Sequence, residues 1–146
     1  MRFDWTCGAY CLMHTHYHLL LKASTENLVK GIHWLHSGYA RSFNAQHGCA
    51  GGVLCDRYRM IVVESERHGL ELCRYIALNP VRAGLVDHPA DWRWGSYAAT
   101  IGEVPAPPFL TTALVLELFA GHGGLASGRS RLRAFVDDAL AAETIP

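Results

Sequence analysis

The sequence predicts an α+β protein, and three observations carry that expectation. Two runs rich in aromatic and apolar residues, Phe3 to Met13 and Tyr17 to Lys22, read as strands on either side of His14-Thr15. A long stretch from Ser24 to Gly48 then repeats its apolar residues at helical spacing. Three shorter helical patterns follow, separated by Gly- and Pro-rich breaks.

A single strand from Phe3 to Lys22 would be exceptionally long, so His14-Thr15 is the natural place for a hairpin turn. Ser24 or Thr25 can cap the first helix, and Leu28, Ile32, Leu35, Tyr39 and Phe43 give it one apolar face. Lys30, His33, Arg41 and Asn44 lie on its other face, as on any solvated helix. Beyond the glycines at 48 to 52, Val53 to Glu64 is β-branched and aromatic and reads as a third strand. Glu66 to Leu78 reads as a helix, with Asn79 at its boundary and Pro80 beyond its end. Short turns around Trp92, Trp94 and Tyr97 lead to a linker marked by Pro105, Pro107 and Pro108. Two helices, Thr111 to Phe119 and Ser130 to Ala142, then flank a Gly/Ser loop at 121 to 128.

At 146 residues, half of them apolar, the chain can bury one real core, and two full domains would be cramped. The motifs described below fall within 1–102, leaving 103–146 as linker and C-terminal helical segment. No run of apolar residues is long enough for a membrane span, and three histidines interrupt the stretch from Ala9 to Leu21. An intracellular, cytoplasmic protein is expected, with no membrane partner. Five cysteines, an odd number without repeated spacing, argue for reduced and mostly buried thiols over a disulfide framework. Formal net charge is zero, but residues 22–102 carry nine Lys/Arg against seven Asp/Glu, and residues 103–146 carry three against five. That is less basic than a typical DNA binder, so composition alone does not point to nucleic acid.

His16 and His18, one residue apart on a predicted strand, would leave the same face and could converge on one cation. Imidazole suits zinc, manganese and other transition metals, and a site shared with phosphate oxygens can use magnesium. Taken alone, alternate histidines on a sheet face are more often polar surface than metal ligands. Cys7 and Cys11 beside them could complete a zinc site, although no CxxC pair is present. Tyr75 and Asn79, four apart, share a helix face; a helical tyrosine is far more often core or surface than nucleophile.

Five ordered motifs change the balance. They are Ala9-Tyr10-Cys11-Leu12-Met13, His16-Tyr17-His18-Leu19-Leu20, Arg57-Tyr58, the block from Arg74-Tyr75-Ile76-Ala77-Leu78-Asn79-Pro80 through Val81-Arg82-Ala83-Gly84-Leu85-Val86, and Trp92 to Tyr97. Over roughly residues 5 to 100 the chain resembles the tyrosine transposases of the insertion-sequence-200-like and REP-associated group, in the HUH superfamily. The resemblance implies a ferredoxin-like fold, a central antiparallel sheet with packed helices. It implies His16 and His18 as the HUH histidines, Tyr75 as the nucleophile and Asn79 as the polar residue completing a site for Mg2+ or Mn2+. Its implied activity is cleavage and rejoining of single-stranded DNA, at hairpins or palindromic repeats, through a 5′-phosphotyrosine. The resemblance also implies a homodimer. Arg57, Arg59, Arg74 and Arg82 become candidates for phosphate contacts, and Tyr58 or Trp94 for stacking on a base.

Two departures from the family stand out. Where its members usually read Met-Pro-Asn-His, this chain has Met13-His14-Thr15-His16, which makes three histidines alternate; His14 is expected as an exposed turn residue. The family's usual first strand and helix have no counterpart before Phe3, so the expected sheet lacks them. This raises an alternative, a DNA-binding protein derived from a transposase that has lost catalysis. A zinc-dependent hydrolase using His14, His16, His18 and a cysteine is a third reading.

Overall fold

The computed structural model describes residues 3–54 and 56–143. Its elements are β1 (Thr6–Leu12), β2 (Tyr17–Lys22), α1 (Thr25–His47), α2 (Glu66–Arg82), a 3-10 turn at Pro89–Asp91, α3 (Tyr97–Thr100), α4 (Ala113–Ala120) and α5 (Gly124–Glu143). The chain is therefore α+β. It divides into two compact units, Met1–Trp5 with Ala23–Val62, and Thr6–Lys22 with Val63–Pro146. Among the described residues no helix is long and apolar enough to cross a membrane.

The second unit is built on an antiparallel hairpin. β1 pairs with β2 in a register that sets Cys11 opposite His18 and Leu12 opposite Tyr17. The turn closes where Met13 N–H donates to the His16 carbonyl at 2.8 Å. The register slips at Gly8, where a Cβ would meet Leu114 Cδ2 at 2.8 Å, so this glycine lets α4 come down onto the strand. Beyond the slip, Ala9 and Cys11 face the main core while Tyr10 faces Phe109, 5.5 Å away between ring centres. The other edge of β1 is occupied without a third strand. Leu12 N–H donates to the Trp94 carbonyl at 2.9 Å, Ser96 N–H to the Tyr10 carbonyl at 2.9 Å, and Thr111 N–H to the Cys7 carbonyl at 2.8 Å. Ser96 Oγ accepts the remaining Tyr10 N–H at 2.9 Å. Backbone groups that a sheet would satisfy are thus met by two loops.

α2 lies on the Ala9/Cys11 face of the hairpin. Ser65 Oγ accepts from His68 N–H at 3.2 Å and starts it, and Cys73, Ile76, Ala77, Leu78 and Pro80 are buried along it. On its far side α4 and α5 close the core through Leu116, Leu132 and Val136, all almost wholly inaccessible. Their approach depends on Gly128, where a Cβ would sit 2.4 Å from the Leu116 carbonyl oxygen. The C-terminal segment, which offers no motif, therefore supplies one wall of the core that carries α2.

In the first unit, Ser24 Oγ caps α1 by accepting from Asn27 N–H at 3.3 Å, and Gly48 ends it in the left-handed region at φ 61°. Trp5 Nε1 donates to the Asn27 carbonyl at 3.1 Å, and its ring lies where a side chain at Gly31 would be.

Four expectations need correcting. The first strand starts at Thr6, because Phe3 and Trp5 pack on α1 instead: Phe3 stacks near both Trp5 and Trp34. The strand expected over Val53 to Glu64 is irregular among its described residues, and Ile61 is 69% exposed. β-branched residues favour strands when a neighbour offers a ladder and a face to cover, and this run has neither. The sheet consequently has two strands among the described residues. α2 continues through Asn79 and Pro80 to Arg82, since a proline in the last turn forfeits one N–H while Ala83 and Leu85 N–H still reach the Asn79 and Pro80 carbonyls at 3.0 and 2.9 Å. α5 begins at Gly124 and not Ser130, because packing of Gly128 on α4 outweighs its poor helix propensity. Of the thiols, Cys7, Cys11 and Cys73 are buried, Cys49 is exposed, and Cys55 lies outside the described residues.

Candidate active site

Because Cys11 and His18 are direct cross-strand partners, their side chains leave the hairpin on one face. Cys11 enters the core on that face, so His18 points towards α2 as well. There its ring meets Tyr75 at 5.2 Å between centres, nearly edge-on at 83°. His16 is not on the strand; it is the last residue of the turn, one before β2. The turn nevertheless sets its ring 5.0 Å from that of His18, at 86°. His14 is exposed and lies edge-on to Trp92 at 6.0 Å, apart from that pair. Thr15 Oγ1 and His16 Nδ1 are 3.2 Å apart, within hydrogen-bonding distance.

Burial lowers the pKa of His18 below its ordinary value, and the neighbouring His16 adds to that, while Asn79 acts on the ring as a hydrogen-bonding neighbour in the opposite sense. Its Nε2 is buried and has no hydrogen-bond partner among the described residues. A ring nitrogen removed from water and left unmatched is costly, and in neutral imidazole the nitrogen without a proton can take a cation as its partner. The ring spacing agrees: with metal–nitrogen bonds of about 2.1 Å, two imidazoles on one ion stand roughly 4.5 to 5.2 Å apart between centres. His16, His18 and Asn79 thus fit a divalent ion by their donor set. Among the described residues no group of three or more His, Cys, Asp or Glu side chains stands ready to hold a metal. Burial pushes the Cys7 and Cys11 thiols up to about 11, so without a metal they stay protonated at neutral pH.

Tyr75 is 43% exposed, so its hydroxyl can be approached from solvent. Of the arginines singled out in the sequence, Arg82 is beside it, with Cζ 5.9 Å from the ring centre. Arg74, on the same helix, is engaged elsewhere: it pairs with Glu71 and lies 4.4 Å over the Phe135 ring of α5. Arg57, Tyr58 and Arg59 belong to the other unit, exposed on the irregular segment after Asp56, with Tyr58 edge-on to His36 at 6.5 Å. Two features escaped the sequence reading. One is the role of Trp92, whose Nε1 donates to the Leu12 carbonyl at 3.0 Å and anchors the turn that carries His16. The other is the placement of Arg82 over the Tyr75 ring, at the outer range of a cation–π contact, for which a seven-residue helical spacing was the available signal.

No protein-family model, no curated protein and no solved structure matches this chain.

Proposed function

We propose that this protein is a divalent-metal-dependent transposase that cuts and rejoins single-stranded DNA, with Tyr75 as nucleophile. The observation that carries the reading is the meeting of His16, His18 and Tyr75, two histidines from the hairpin and a half-exposed tyrosine from a helix more than fifty residues later, around a buried nitrogen with no hydrogen-bond partner among the described residues. The motif resemblance supplies the substrate class, and with it the ferredoxin-like fold, the hairpin or palindromic target, the cytoplasmic setting and a working homodimer as parts of the same proposal.

His16, His18 and Asn79 would hold Mg2+ or Mn2+, which when bound neutralises phosphate charge. Tyr75 Oη forms a bond to phosphorus as the bond from phosphorus to the 3′-oxygen breaks. The phenolic proton passes to water, and the departing oxygen takes one up as a 3′-hydroxyl. One phosphodiester replaces another, so the reverse attack by a new 3′-hydroxyl rejoins DNA without a nucleotide cofactor.

The test uses hairpin-bearing single-stranded oligonucleotides, labelled 3′ to the cut, with Mn2+ or Mg2+. A covalent protein–DNA band is expected for the wild type and none for Tyr75→Phe, whose melting temperature should be almost unchanged at this exposed position. Equal bands from both would remove Tyr75 as the nucleophile. Tight DNA binding without any band would leave a DNA-binding protein.

A further inference from the structure

Tyr75, Asn79 and Arg82 lie at steps of four and three along α2, so at about 100° per residue they form one narrow stripe. Arg82 joins that stripe only because the helix does not stop at Asn79. Pro80 is buried in the core and anchors this last turn, and the carbonyls around it are met by Ala83, Gly84 and Leu85 N–H groups at 2.8 to 3.0 Å. A helix ending before the proline would free Arg82 from the stripe. The guanidinium stands 5.9 Å from the Tyr75 ring centre, within the range of a cation–π contact.

The contact matters because of where Tyr75 sits. With close to half its surface open, its ring has little packing to select one rotamer, yet in-line attack needs the hydroxyl within about 3 to 3.5 Å of phosphorus. His18 bounds the ring edge-on at 5.2 Å. Arg82 is the second restraint. We propose that Arg82 is a positioning residue for the nucleophile, holding the Tyr75 ring in its attacking orientation through the face of the ring; this rests on Tyr75 being the nucleophile. Arg74, on the same helix, pairs with Glu71 and lies over Phe135, so it serves the α2–α5 packing.

The experiment compares wild type, Arg82→Gln and Arg82→Lys in the full chain. With saturating hairpin oligonucleotide and Mn2+, Arg82→Gln should slow single-turnover adduct formation roughly ten- to a hundredfold. Its oligonucleotide Kd and the salt dependence of that Kd should stay within about twofold of wild type, and Arg82→Lys should recover part of the rate. In protein carrying 13C-labelled tyrosine and no DNA, the Tyr75 ring signal, identified by its loss in Tyr75→Phe, should move in Arg82→Gln while the signals of the other tyrosines stay. An unmoved ring signal or an unchanged rate overturns the proposal. So does a Kd that weakens in step with the rate, with a shallower salt slope, which would make Arg82 a phosphate contact. Absence of any wild-type adduct overturns it through the nucleophile assignment, a failure told apart because the ring signal would still move.

Discussion

α1 runs for 23 residues and buries Gly31 and Ile32, whereas α2 runs for 17 and buries Gly69, Cys73, Ile76, Ala77, Leu78 and Pro80. Both helices are capped by serine and both carry apolar residues at helical spacing, so the difference is not in their own sequences. It comes from what lies against them. α2 has a strand face on one side and the α4–α5 pair on the other, and its apolar stripe is consumed. Around α1 the first unit offers Phe3, Trp5 and an irregular segment, and Trp34 and Tyr39 stay about half exposed. The candidate site sits where packing is dense, and Tyr75 on α2 inherits a rigid base.

The contrast can be broken by truncating one side chain in each unit. Leu116→Ala should cost about 3 to 4 kcal/mol, because that side chain is wholly enclosed. Tyr39→Ala, at a position 51% exposed, should cost below about 1 kcal/mol. Chemical denaturation of the two variants measures both, and equal losses would abolish the distinction. Glycines sharpen it further. Gly128→Ala should destabilise by about 1 to 3 kcal/mol despite better helix propensity, since the new Cβ meets a backbone oxygen. Gly38→Ala on α1, with nothing within 4 Å of its new Cβ, should stabilise by up to about 1 kcal/mol.

A further expected effect is on alkaline stability. Burial pushes Cys73 up to about 12 and Cys7 and Cys11 up to about 11, from an ordinary 9.0. The folded thiols keep protons that the unfolded chain releases, so their contribution is whole below about pH 9 and fades as pH rises towards 11 to 12. Melting temperature followed from pH 8 to 11 should fall, and less steeply in Cys73→Ala relative to its own value at pH 8. Cys49, in the other unit, should react with a thiol reagent at once, while the three buried thiols wait for unfolding.

What the sequence made legible follows the same division. β2 was readable to the residue and α1 nearly so, because a hairpin turn and a serine cap are local signals. Val53 to Glu64 misled because β-propensity presumes a neighbouring strand. α2 overran Pro80 and α5 began early at Gly124 for a shared reason: tertiary contacts at Pro80 and Gly128 outweigh local preference, and no window of sequence displays them. At the site, the identities of His16, His18, Tyr75 and Asn79 rested on the motifs, while their convergence depends on Cys11 pairing with His18, a register set by the turn and by the slip at Gly8.

The two loops hydrogen-bonded along β1 have one more consequence. With the backbone of Cys7, Tyr10 and Leu12 already engaged by residues 94 to 96 and 111, that side of the hairpin is sealed against recruitment of a foreign strand. Any strand that extends this sheet, from another copy or another molecule, has to dock along β2. Assembly by strand addition would then touch the strand that carries His18.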